Sequence, residues 1–71
     1  MTQFFHEVRQ PMTAISNFSA AARLLLEQKL IESSPISVEE ISKLIVWIEQ
    51  INSQSKRVIE IVNQQEKKQL S

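Results

Sequence analysis

Ser33-Ser34-Pro35-Ile36-Ser37-Val38-Glu39-Glu40-Ile41 is the stretch that decides the fold. Pro35 disfavours helical geometry at the residue before it, so a helix arriving from the N-terminal side has to end near Ile31 or Glu32. Ser37 then has the properties of an N-cap. Glu40, three residues on, completes a capping box, and Ile36 and Ile41 occupy the two positions of a hydrophobic staple. Glu39 and Glu40 suit the positive end of the helix that starts here, and Lys67 and Lys68 suit its far end. One helix stops and another starts within a single short turn.

Both flanks of the turn carry helical periodicity. Upstream, Phe5, Val8, Met12, Ile15, Ser19, Ala22 and Leu26 alternate spacings of three and four, a heptad seam widened by Phe18, Ala21 and Leu25. Downstream, Ile41, Leu44, Ile48, Ile51, Ser55, Val58 and Val62 repeat the pattern, widened by Ile45 and Ile59. The run from Leu44 to Ile48 resembles a buried strand in isolation, but it lies inside the longer helical period. The expectation is an all-α chain with helix one over about 2–31, a loop over about 32–37 and helix two over about 38–68. A short connection makes the helices antiparallel neighbours, each roughly 40 Å long at 1.5 Å rise per residue. Each stripe is wider than a two-helix seam needs, so the hairpin is expected to homodimerise into a four-helix bundle. Further helices from a longer natural chain are the alternative cover.

The 71 residues include no cysteine and no glycine. At this length a single core barely outweighs chain entropy. Without cysteine, neither a disulfide framework nor a thiolate metal site can add stability. Without glycine there is no Gly-rich phosphate loop and no dinucleotide fingerprint, so the chain is not expected to bind ATP by itself. All eight acidic residues are glutamates. The missing aspartate removes a receiver-type phosphoacceptor and weakens any calcium or magnesium loop. Eight scattered basic residues balance the acids, which argues against nucleic acid and anionic membrane as partners. The longest apolar run, Leu44 to Ile48, is far too short to cross a bilayer, and no signal-peptide pattern opens the chain.

Candidate chemistry lies in His6-Glu7-Val8-Arg9-Gln10-Pro11, which holds the chain's one histidine. With Phe5, Val8, Met12 and Ile15 turned inward, His6 falls outside the seam on a strip with Thr2, Gln10, Thr13 and Asn17. A histidine so placed is by default a solvated surface residue, and no second histidine or thiolate sits at metal-ligand spacing. Pro11 adds weight to the site. Inside a helix it removes the amide that would bond the Glu7 carbonyl and crowds that turn, at about 3 kcal/mol. One reading is a tolerated kink near a helix end; the other is a local loosening that lets His6 change orientation. Arg9 is by default a solvated arginine, with steering of phosphate or an acidic partner as the functional alternative. Trp47 flanks the second seam, where bundle packing is its expected role. Ser19 and Ser55 interrupt the seams, where small polar residues relieve packing or set register.

The stretch His6-Glu7-Val8-Arg9-Gln10-Pro11-Met12-Thr13-Ala14-Ile15 resembles the H-box of sensor histidine kinases, in the subgroup with a His-Glu-x-x-Gln-Pro-Leu-Thr-Ala-Ile core. Asn17-Phe18 and Ala20-Ala21-Ala22-Arg23 continue the resemblance, and Gln54-Ser55-Lys56-Arg57-Val58-Ile59 is similar to the looser second-helix pattern. Met12 in place of leucine conserves volume. The resemblance spans nearly the whole chain but not the family's ATP-binding domain. It therefore implies a dimerisation and phosphoacceptor segment of a longer protein, which by itself lacks an ATP site and should be inactive.

The same resemblance implies roles and partners. His6 would be the phosphoacceptor, attacking the γ-phosphate of ATP held with magnesium by the separate catalytic domain. The phosphoryl group would then pass to an aspartate on a response-regulator receiver. An imidazole is largely neutral, hence nucleophilic, near pH 7. Glu7 would accept a hydrogen bond from one ring nitrogen and raise the basicity of the other. Adjacent helical residues point about 100° apart, so that contact needs a side-chain swing. Gln10 stands where many relatives hold a threonine or asparagine that positions the water for regulator dephosphorylation, so a phosphatase role is its hypothesis. The implied location is cytoplasmic, including the cytoplasmic part of a membrane-bound bacterial sensor. The competing reading is a non-catalytic dimeric helical signalling module. A free-standing histidine phosphotransfer protein ranks last, because that class packs four helices in one chain and places glycine near its histidine.

Overall fold

The computed structural model describes residues 2–70, with side chains over 3–68. It is a helical hairpin: α1 spans Thr2–Glu32 and α2 spans Val38–Leu70. The molecule measures 55 × 19 × 13 Å, the shape of two long helices lying side by side.

The turn follows from the residues quoted above. α1 closes with Ser33 in the left-handed region (φ 53). The Ser34 N–H donates to the Lys29 carbonyl at 3.1 Å and the Ser33 N–H to the Leu30 carbonyl at 3.2 Å. This is a Schellman closure, which satisfies carbonyls that the helix end would otherwise leave open. In a chain without glycine, serine takes the conformation that glycine normally supplies there, at roughly 1–2 kcal/mol. At the start of α2 the capping box is reciprocal. The Glu40 N–H donates to Ser37 Oγ at 3.1 Å, and the Ser37 N–H donates to Glu40 Oε1 at 3.0 Å. The other Glu40 oxygen, Oε2, sits 3.0 Å from Lys29 Nζ and ties the new helix to the old one. Ile36 and Ile41, at the staple positions, both keep more than a third of their surface exposed.

The hairpin closes on a seam rotated from the expected one. Facing residues of α1 are Phe4, Val8, Pro11, Ile15, Phe18, Ala22, Leu25 and Lys29, each buried or half-buried. On α2 they are Glu40, Leu44, Trp47, Ile51, Gln54, Val58, Ile61 and Gln65. Val8, Ile15, Ala22, Leu44, Ile51 and Val58 face the neighbouring helix as expected. Phe5, Met12, Ser19, Leu26, Ile41, Ile48 and Val62 do not: Phe5 is 68% exposed and Ile48 60%. The physical reason is that each helix carries two adjoining seams sharing one row of residues. A hairpin offers each helix one neighbour, so one seam is used and the other is left in solvent. α1 continues through Pro11, and that ring is fully buried. Ile61 is the buried hydrophobic side chain among the described residues of α2. The antiparallel register that joins Lys29 to Glu40 sets Ile61 opposite Val8, one turn before Pro11, and Val58 opposite Pro11.

The unused rows share one face. Seen from one end, antiparallel helices turn in opposite senses, so the same angular step from the seam leads to the same side of the hairpin on both. That side carries Phe5, Met12, Leu26 and Leu30 from α1 with Ile41, Ile45, Ile48, Ile59 and Val62 from α2, all exposed. The accessible surface is 5968 Å². A compact monomer of 8.2 kDa would expose about 4,500 Å², so the hairpin shows roughly 1,400 Å² more.

Candidate functional site

His6 sits on α1 about one turn from its first residue, on the side turned away from α2. Val8 and Pro11, between which the helix turns, face α2 and fix this orientation. His6, Glu7, Arg9, Gln10 and Thr13 together line one shallow, open concavity. His6, Glu7, Arg9, Gln10, Thr13 and Asn17 are all exposed. The side chain of Thr2, which the spacing puts on the same strip, lies outside the described residues.

Within the concavity the side chains differ in freedom. The Thr13 hydroxyl donates to the Arg9 carbonyl at 2.8 Å, so its proton is committed to the backbone and its lone pairs face the concavity. His6 and Glu7 adjoin in sequence, but no hydrogen bond or ion pair joins their side chains among the described residues. The roughly 100° step between adjacent helical residues accounts for this. The expected contact therefore requires a rotamer change at one of the two. Pro11, read from sequence as a loosening of the turn before it, also anchors that turn from below through its buried ring.

The strip reaches further along α1. One and two heptads on from Asn17 come Leu24 and Ile31, 67% and 82% exposed. Sequence reading left both out because they belong to neither seam. Just before His6, the Phe4 and Phe5 rings meet edge to face at 5.6 Å and 69°. Phe4 is half-buried and Phe5 exposed. No group of three or more His, Cys, Asp or Glu side chains converges among the described residues. None of the described helices is long and apolar enough to cross a membrane. No protein-family model, curated protein or solved structure matches the chain.

Proposed function

We propose that this hairpin is the dimerisation and phosphoacceptor segment of a two-component histidine kinase. The observation that carries the reading is the outward strip: His6 and Gln10 stand one turn apart, exposed, in a single concavity with Glu7, Arg9 and Thr13. A residue that must meet first an ATP-binding domain and then a receiver has to be reachable by a large partner, and this strip is. A ring nitrogen of His6 attacks the γ-phosphorus of ATP, which a separate domain holds with magnesium. The N–P bond forms, the bond to ADP breaks, and the proton on the other ring nitrogen is held by Glu7 after its rotamer change. A receiver aspartate then takes the phosphoryl group and the N–P bond breaks. Gln10 orients the water that later hydrolyses the aspartyl phosphate. Two hairpins pair through their exposed apolar faces into a four-helix bundle.

A second reading, a non-catalytic dimeric helical module, draws on the lack of a His6–Glu7 hydrogen bond. One labelling series separates them. The chain is incubated with Mg-ATP and an ATP-binding domain taken from a kinase carrying the same His-Glu-x-x-Gln-Pro motif. Acid-labile phosphate is expected on the wild type, none on His6→Gln, and a strong loss on Glu7→Ala. Gln10→Ala should label normally and slow only the dephosphorylation of a receiver. Label that survives His6→Gln, or none on the wild type, removes the phosphoacceptor reading.

A further inference from the structure

The exposed apolar face is broken at mid-height by a polar band: Ser16 and Ser19 on α1, Asn52 and Ser55 on α2. Above and below it the face is apolar, with Met12, Ile59 and Val62 on one side and Leu26, Leu30, Ile41, Ile45 and Ile48 on the other. Resting on the pairing proposed above, we infer that this band fixes the register of the two copies, band against band, on the face flanking the seam and away from His6.

Three observations carry this. First, the roughly 1,400 Å² of surplus surface exceeds the ~800 Å² per partner that a standard interface buries, and the exposed large hydrophobes that make up much of it gather on this face, so the hairpin has surface enough for a second copy. Second, two of the three serine hydroxyls are already satisfied within their own helices. Ser19 Oγ donates to the Ser16 carbonyl at 3.0 Å, and Ser55 Oγ donates to the Ile51 carbonyl at 2.8 Å. Covering these two with a second copy leaves neither hydroxyl donor unmet, and the small size of all three serines lets two helices approach closely. Third, the Asn52 amide is exposed and makes no side-chain hydrogen bond among the described residues. In register it meets serine oxygens, which still accept. A slip of one heptad would instead bury it against leucine, isoleucine or methionine with no partner, the same logic by which a lone asparagine sets register in coiled coils. Arg23, also on this side of α1, is paired with Glu27 within its own helix. His6 lies about 100° or more around α1 from the face, so pairing leaves its strip open.

The chain has no cysteine, so single cysteines report contacts cleanly. A tagged Ser19→Cys chain is mixed with untagged chains carrying one cysteine each and oxidised. Disulfides need Cα atoms within about 7 Å. The expected result is rapid cross-linking to Asn52→Cys or Ser16→Cys, the two band positions opposite Ser19 in the two symmetric orientations, and slow cross-linking to Ile45→Cys, Ile59→Cys and Arg23→Cys. Preferential linkage to any of those last three overturns the inference. Because Ile48 is 60% exposed in the hairpin, Ile48→Glu should keep its helix content yet sediment as a monomer. A dimer that survives Ile48→Glu also overturns it, as does a monomeric wild type. Neither measurement involves phosphate, so a failure here is distinguishable from a failure of His6 labelling.

Discussion

The two ends of the hairpin are held by different physics. At the turn, directional bonds do the holding: the Schellman closure at Ser33 and Ser34, the reciprocal Ser37–Glu40 box, and the Lys29–Glu40 bridge across the helices. At the His6 end, Pro11 and Ile61 are the buried side chains of the seam, and the polar residues of the outward strip stay in solvent. Directional bonds set where the chain reverses, while apolar packing alone positions the outward strip. The role proposed for His6 would benefit from that division, because the strip's polar side chains are not spent on holding the two helices together.

The most damaging way to test this comparison is Ile61→Ala. It removes the buried hydrophobe of α2 opposite Val8, and large-to-small core changes of this kind cost about 2–5 kcal/mol. With so much of the hairpin exposed, the lower part of that range is expected, still a large share of the stability of a small domain. Urea unfolding followed by far-UV circular dichroism measures it. Ile48→Ala, on the unused face, should cost well under half as much at concentrations where the chain is monomeric. Equal losses would mean that the two faces do not differ.

That contrast also marks what was legible in the sequence. The helix ends were, because Pro35, Ser37 and Glu40 act through bonds a few residues long, and α1 and α2 begin and end within two residues of the expected bounds at every end. The placement of His6, Gln10 and Thr13 on one exposed strip was legible too, since it depends only on helical spacing. The choice of seam was not. Phe4-Val8-Pro11-Ile15 and Phe5-Val8-Met12-Ile15 both alternate spacings of three and four, in opposite phase, so periodicity does not choose between them. Only the presence of a single neighbouring helix selects the first. Pro11 was read for the bond it removes and not for the surface it buries.

Pro11→Ala weighs those two effects directly. Relieving a mid-helix proline returns about 3 kcal/mol. Trimming the ring to a methyl group removes two buried methylenes, about 1.6 kcal/mol at ~0.8 each. The variant should therefore gain about 1 kcal/mol, with slower amide exchange around residue 11. If it loses stability instead, packing of the ring outweighs the missing bond, and the His6 end is anchored more tightly than the comparison holds.

The smallest effect belongs to the turn and is read against pH. The Ser37 backbone N–H, and after it the Lys29 ammonium, hold the Glu40 carboxyl below its ordinary value. A depressed carboxylate contributes stability that is fully present above the ordinary carboxylate range and is lost as pH falls through the lowered value. The difference in urea midpoint between wild type and Glu40→Gln should accordingly be flat near neutral pH and shrink through the acid range. Because the Lys29 and Glu40 side chains stay partly exposed, at 22% and 21%, the Lys29 part is screened in part by salt, whereas the bond from the Ser37 N–H is short-ranged and persists. Raising the salt concentration should therefore reduce the difference without abolishing it. A difference that is independent of pH would assign the turn's strength to the Schellman closure and the Ser37 hydroxyl alone, and would leave Lys29 and Glu40 as a surface pair without consequence for where the chain reverses.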